Sequence, residues 1–412
     1  MKTYLILTVG TGTAGRESNI SEGLMASIRE VKPAGFWLVP SAGKDSIAVA
    51  DIVREGLESL GTFRMWKEGQ RYYLIDNHDS LESTRLTIRE MIREIRRIID
   101  PADRVVVNPT SGTKQMSAGA TIAALDEEVF EIQFIGGVRK DGVVMTGSER
   151  LERFLSRDYF RERDFEKAKL LFTSGNYAAS AQVLEPHGDY STEASIARLF
   201  EAWQKTNYEK ARLLASKINH PEVISRRAVL DSLAKAVRNQ DHHALLGGDL
   251  IRQSRHYARL NQFEESIFEL ARAIEHLAHG TIREISGVKP NSEGEYPLDS
   301  ILAITSQSGM KEKLKQREHH QKIRLGLSDL AELMIQNGMP EASGLRGGGV
   351  ADRVMKIRNQ IAHQFCSMEQ EEFSRIYTAG HQWVGSVFKL APVPDFPMTL
   401  SRLKDLEVER AI

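Results

Sequence analysis

Arg104-Val105-Val106-Val107-Asn108-Pro109-Thr110-Ser111-Gly112-Thr113-Lys114-Gln115-Met116 passes from a run of valines through a turn of small residues into a helical pattern. Three consecutive valines show no alternation of apolar and polar residues, so the strand they form is covered on both faces, as in a parallel sheet between helices. The turn therefore lies at the carboxyl end of a buried strand and at the mouth of a helix, where open α/β sheets bind ligands. Backbone N–H groups, the hydroxyls of Thr110, Ser111 and Thr113, and the charge of Lys114 suit a phosphate there. Gly112 stands two residues before Lys114 and Gln115 follows it, so the segment is not a Walker A loop and P-loop hydrolysis is not expected.

The same alternation extends to both sides. Tyr4 to Val9, Phe36 to Val39, Tyr72 to Ile75, Arg104 to Asn108 and Val129 to Ile135 read as strands. Ile20 to Val31, Ser46 to Leu60, Leu81 to Ile99 and Gln115 to Leu125 read as helices between them. Together they predict a Rossmann-like α/β domain over residues 1–150. A second loop, Gly10-Thr11-Gly12-Thr13-Ala14-Gly15, follows the first strand and spells G-x-G-x-x-G. A dinucleotide site needs an acidic residue at the end of the second strand to hold the ribose, and Trp37-Leu38-Val39-Pro40-Ser41 offers none.

Beyond residue 150 strand signals nearly vanish, and the fold class predicted is an α/β amino-terminal domain followed by an all-α region. Four helical stretches open on an aromatic: Asp164-Phe165, Asn176-Tyr177, Asn207-Tyr208 and Gln262-Phe263. They look like tetratricopeptide hairpin openings, but their irregular spacing argues against a regular solenoid. The reading is a helical connector over 151–250 and a terminal bundle over 251–412, whose first long helix is Phe263 to Ile282. Glycines and prolines mark loops at 286–300 and 337–349.

Within that bundle lies Arg358-Asn359-Gln360-Ile361-Ala362-His363. A proton-transfer group and a fixed cation on one helix are what metal-free phosphodiester cleavage needs. Val354, Ile357 and Ile361 fall on one stripe that can face a core. Asn359 and His363, at i and i+4, share another face with Arg358 on its flank, and Asp352 is placed to cap the helix. A second copy, Arg238-Asn239-Gln240-Asp241-His242-His243, runs on into Gly247-Gly248 and reads as a polar helix end.

Net charge is −1 from 55 Lys and Arg against 56 Asp and Glu, so any nucleic acid must meet a local basic patch and not a global field. The single cysteine, Cys366, excludes an internal disulfide framework and suits a reducing cytoplasm. No apolar stretch reaches the roughly 20 residues of a membrane span, and no leader is expected, because Leu5 to Val9 is too short for an apolar signal core. Neither His242-His243 nor His319-His320 has metal-ligand spacing, so no metal and no cofactor are expected.

The two loops, Leu5 to Thr13 and Asn108 to Met116, resemble the signature loops of CARF domains, the cyclic-oligoadenylate sensors of type III CRISPR systems. Arg358-Asn359-x-x-x-His363 resembles the R-x(4-6)-H motif of HEPN ribonucleases. Their order in one chain is similar to the CARF plus HEPN ancillary ribonucleases of antiviral defence. The resemblance implies that Gly10, Thr11, Gly12, Thr13, Asn108, Thr110, Ser111, Gly112, Thr113 and Lys114 bind a cyclic oligoadenylate as allosteric activator, with cyclic tetra-adenylate favoured over cyclic hexa-adenylate. It implies that Arg358, Asn359 and His363 cleave single-stranded RNA in a cytoplasmic homodimer, and it leaves room for slow cleavage of the activator by the sensor loops. Ser111 stands where many CARF loops carry glycine, so ring size does not transfer. The competing readings are a nucleotide sensor or regulator without nuclease activity, a dinucleotide-dependent oxidoreductase, and a helical scaffold without activity. No helix-turn-helix or basic recognition helix supports a transcriptional regulator.

Overall fold

The computed structural model describes all residues except 12–16, 58–62, 65–70, 141–142, 240–242, 292, 365–367, 398 and 402–412. Gly12, Thr13 and Cys366 lie outside the described residues. The chain divides into two compact units, Met1–Asp164 and Phe165–Ile412.

The first unit runs β1 (Thr3–Val9), α1 (Glu17–Val31), β2 (Gly35–Pro40), α2 (Lys44–Glu55), α3 (Leu81–Ile98), β3 (Arg104–Asn108), α4 (Lys114–Asp126) and β4 (Glu131–Gly136). A short ribbon of β5 (Arg139–Lys140) and β6 (Val143–Val144) leads to β7 (Arg150–Leu155). The five-stranded sheet has the order β2-β1-β3-β4-β7, parallel except for the antiparallel edge strand β7. Every core strand splits its side chains between two cores. Tyr4 and Ile6 of β1 and Val105 and Val107 of β3 pack with α3 and α4. Leu5, Leu7, Val9 and Val106 pack with α1 and α2. Period-two alternation inside an unbroken apolar run is the expected result of covering both faces of a sheet.

Two details depart from the sequence reading. Tyr72 to Ile75 adds no strand to the sheet. Ile75 makes a single bridge to Ser41, with its N–H on the Pro40 carbonyl at 3.0 Å, while Tyr72 turns its ring into the core and donates its hydroxyl to Asp51 at 2.7 Å. Conversely β7 is a strand where helix alone was expected. Its mixed Arg-Leu-Glu-Arg-Phe-Leu composition hides it, because an edge strand with mostly exposed side chains shows no apolar run.

A long helix, α5 (Ser156–Thr173), carries the boundary between the units. The second unit continues with α6 (Tyr177–Leu184), α7 (Ser191–Gln204), α8 (Tyr208–Lys217), α9 (Pro221–Ile224), α10 (Arg227–Asn239), α11 (His243–Arg259) and α12 (Phe263–Ser286). Then follow β8 (Glu295–Pro297), α13 (Leu298–Ala303), α14 (Ser308–Gln316), β9 (Lys322–Arg324), α15 (Leu327–Gln336), α16 (Val350–Gln364) and α17 (Gln370–Val387). Three of the four aromatic openings begin helices, and they share one device. Gly175, Thr206 and Asn261 take left-handed backbone, and the next residue's N–H returns to a carbonyl five residues earlier, at 2.9 Å in each case. Asn176 and Asn207 then cap α6 and α8 through their side chains. Phe165 instead sits inside α5.

This unit holds two hydrophobic cores. One gathers α5 to α10 around Phe172, Tyr177, Phe200 and Trp203 and includes Phe396 from the carboxyl-terminal segment. The other is built on α12, through Ile267, Leu270, Ile274 and Leu277, against α15, α16 and α17. Loop 337–349 contains a 3-10 turn over Pro340–Leu345. Among the described residues no helix is long and apolar enough to cross a membrane.

Candidate functional site

At the carboxyl ends of β1 and β3 the two loops meet backbone to backbone. A Cβ on Gly10 would stand 2.4 Å from the Gly112 Cα, and Gly112 itself has φ +132°, so both positions require glycine. Ser111 fastens the pair: its Oγ accepts from the Gly10 N–H at 3.0 Å, and its carbonyl accepts from the Thr8 hydroxyl. Ser111 thus has a structural task at the meeting of the two loops.

The remaining loop residues divide by role. Asn108 is fully buried; its amide donates to Ser27 Oγ at 3.0 Å, and its Oδ1 accepts from the N–H and hydroxyl of Thr110 at 3.1 and 2.6 Å. Thr110 Oγ1 in turn accepts from the Ile135 N–H at 2.8 Å, tying the loop to β4. Thr113 caps α4, accepting from Met116 N at 3.1 Å, and donates to the His78 carbonyl at 2.7 Å. These three side chains shape the loop from within. Lys114, the first residue of α4, is exposed, whereas Thr11, like Thr110, Ser111 and Thr113, is half-buried, so of these side chains Lys114 stands most open to a ligand above the strand ends.

In the helical unit, α16 carries the arginine and histidine motif. Val354 is buried, Ile357 and Ile361 pack partly against the same core, and Asn359 and His363 are exposed, as the helical stripe requires. The helix begins at Val350, so Asp352 lies in its first turn and not at the cap position expected from sequence; it accepts from the Gly348 N–H at 2.8 Å and pairs with Lys356 at 2.7 Å. Arg358 is turned further inward than a flank position. Five residues separate it from His363, roughly 140° around an ideal helix, and its Nη2 donates to Glu275 Oε1 of α12 at 2.6 Å. Glu275 was invisible to motif reading because it lies 83 residues upstream of its partner.

The earlier copy of the motif is divided between two helices. Arg238 and Asn239 end α10, Gln240 to His242 lie outside the described residues, and His243 opens α11. His243 is only 8% exposed, stands 3.3 Å from His276 across the ring nitrogens, and is pressed against Gly280. It is a core histidine and not the end of a polar helix. Among the described residues no group of three or more His, Cys, Asp or Glu side chains is placed to hold a metal ion.

The chain is thus a five-stranded α/β unit followed by a helical unit whose α16 carries Arg358 and His363. No family model matches the chain, and no curated protein matches it. Among solved structures it is similar to Enterococcus italicus Csm6 bound to cyclic hexa-2′-fluoro-hexa-dAMP, with a TM-score of 0.56, 94% of each chain covered and 10% sequence identity. The chain therefore has the Csm6 fold over 94% of its length, and the resemblance drawn from the loops and the R-x(4-6)-H motif holds at the level of fold.

Proposed function

We propose that this protein is a cyclic-oligoadenylate-activated, metal-independent endoribonuclease of type III CRISPR antiviral defence. The observation that carries the reading is the coexistence of a serine-locked loop pair at the strand ends and an exposed His363 on the same helix as Arg358, in a chain with the fold of a protein solved with a cyclic oligonucleotide. The proposed division is a sensor over residues 1–150, a connector over 151–250 and a ribonuclease domain over 251–412.

In the proposed mechanism RNA lies between two protomers in a cytoplasmic homodimer, since a symmetric ring and a composite site both call for an isologous interface. His363 assists proton transfer as a ribose 2′-OH attacks the adjacent phosphate. Arg358 stabilises the charge of the phosphorane, and Asn359 orients the phosphate or the imidazole. The products carry 2′,3′-cyclic phosphate ends. The activator occupies the loops at Gly10, Thr11, Gly12, Thr13 and Thr110 to Lys114, held by backbone N–H groups and the Lys114 charge. Asn108 supports that loop from below.

The deciding experiment incubates purified protein with single-stranded RNA in EDTA, alone or with cyclic tetra-adenylate or cyclic hexa-adenylate. Cleavage only with one of the rings, leaving cyclic phosphate ends, is the expected result. Ring binding without cleavage under any condition would favour a sensor that has no nuclease activity.

A further inference from the structure

Helix α12 is buried along most of its length, yet Arg272, Glu275, His276 and His279 recur at i, i+3, i+4 and i+7 and so form one polar stripe. That stripe lines a cavity of about 730 Å³, within the range of small-ligand sites. The opposite wall comes from Arg324 and from leucines of the α15 end, among them Leu327.

The chemistry of the walls is specific. His276 meets His243 at 3.3 Å through Nε2, and His279 meets the Tyr296 hydroxyl at 3.2 Å through Nδ1. One nitrogen of each ring is engaged in these contacts, and both rings line the cavity. Burial holds both imidazoles below their ordinary pKa, His276 to about 4, so near neutrality each offers one hydrogen-bonding edge and no charge. Of the charged lining groups, Arg272 pairs with Glu269 at 2.7 Å and Glu275 with Arg358 at 2.6 Å, while Arg324 donates to the Glu293 carbonyl at 2.9 Å. Two uncharged imidazole edges beside Leu325, Leu327 and Leu330, with the Arg324 guanidinium in the same wall, suit a planar heterocycle that can hydrogen-bond and stack. Unpaired RNA presents such groups, with bases splayed out and read along their edges.

We propose that this cavity is a nucleobase subsite, receiving one unpaired base of the RNA next to the phosphate that Arg358 faces. Glu275 belongs to the cavity wall and to the Arg358 ion pair, so the base and the reacting phosphate are held by adjoining groups. This inference rests on the nuclease reading, which its test keeps separate.

Gly326, at the cavity rim, has φ −83°, and a Cβ there meets only Asp329 at an ordinary 3.7 Å, so Gly326→Leu introduces bulk without backbone strain. The full-length wild type, Gly326→Leu and His279→Ala are titrated with adenosine and uridine 3′-monophosphate, following the imidazole resonances by NMR. Cleavage positions are mapped on a random single-stranded RNA library with activator present. Expected are His276 and His279 shifts with at least one nucleotide in wild type, at least tenfold weaker binding in both variants, and loss of base preference beside the cleaved bond. Unchanged affinity and unchanged preference in folded variants overturn the proposal. If no condition produces cleavage, the nuclease reading falls, while nucleotide-dependent histidine shifts that vanish in Gly326→Leu still support the base site and their absence in wild type overturns it.

Discussion

Glu275 of α12 accepts a hydrogen bond from Arg358 of α16 at 2.6 Å, joining the central helix of the bundle to the helix that carries the candidate catalytic pair. Both side chains keep access to solvent, 30% for Arg358 and 41% for Glu275, so the pair contributes below about 1 kcal/mol to stability. Its consequence is orientation of a guanidinium whose Nε is buried without a hydrogen-bond partner. On the proposed nuclease reading Glu275 is a positioning residue. Glu275→Ala should lower kcat about tenfold, which corresponds to about 1.4 kcal/mol of transition-state stabilisation, with little change in KM or melting temperature. Glu275→Asp should recover part of the rate. A variant with wild-type kcat, or one whose loss follows its melting temperature, removes that role.

Choosing between the two motif copies also changes which control is informative. His363→Ala should abolish RNA cleavage without altering the melting temperature, because the side chain is exposed. His243→Ala would leave a cavity beside His276 and Gly280 and confound activity with stability. Arg238→Ala, at an exposed position, is the better test of the earlier copy and should cleave at the wild-type rate. Full activity in His363→Ala would sink the assignment.

The parallel sheet was legible because its strands are buried on both faces and read as unbroken apolar runs. The same logic concealed β7, whose mostly exposed Arg150, Glu152 and Arg153 leave no apolar signature. The α16 stripe was legible because helical periodicity is local, whereas Glu275 and the cavity it lines depend on the packing of α12 against distant elements. Residue type located the loop pair but not the division of labour within it. Nothing in Asn108-Pro109-Thr110 tells that Asn108 is buried beneath the loop, since its partner Ser27 belongs to α1.

Acidification should weaken the helical unit. Burial, reinforced by nearby arginines, holds His256, His276 and His381 near pKa 4 in the folded chain, against about 6.5 when unfolded. A depressed histidine pKa means that the unfolded state takes up protons first as pH falls. Stability is therefore unaffected above about 6.5 and declines as pH drops from 6.5 toward 4. Melting temperature measured across that range should fall continuously, and less steeply in His381→Gln, provided that variant folds. A flat profile between pH 6.5 and 4 would contradict this account.

The loop contact gives a structural prediction that is independent of any ligand. A methyl group on Gly10 would lie 2.4 Å from the Gly112 Cα and 2.6 Å from its nitrogen, and backbone cannot rotate away as a side chain can. Gly10→Ala should destabilise the α/β unit by about 1 to 3 kcal/mol, the usual cost of overpacking. Ser111→Ala removes only the hydroxyl that accepts from Gly10 N–H, about 1 kcal/mol, and should be the milder variant in denaturant unfolding. The reverse order would show that the loops do not meet as described.

Lys114 tests the sensor reading most directly. It is exposed at the start of α4, next to the Thr113 cap, where the helix terminus and its own charge both favour a phosphate. A charge-assisted contact is worth roughly 1.5 to 3 kcal/mol, so Lys114→Ala should weaken binding of the activating ring at least tenfold. It should shift the activation curve to higher ring concentration and leave cleavage without activator unchanged, because the substitution touches neither α12 nor α16. Equilibrium binding of labelled cyclic tetra-adenylate and cyclic hexa-adenylate to both proteins makes the comparison, and it also ranks the two ring sizes. Equal affinity of wild type and Lys114→Ala for the ring that activates would remove Lys114 from the binding site and, with it, the main charge on which the sensor assignment rests.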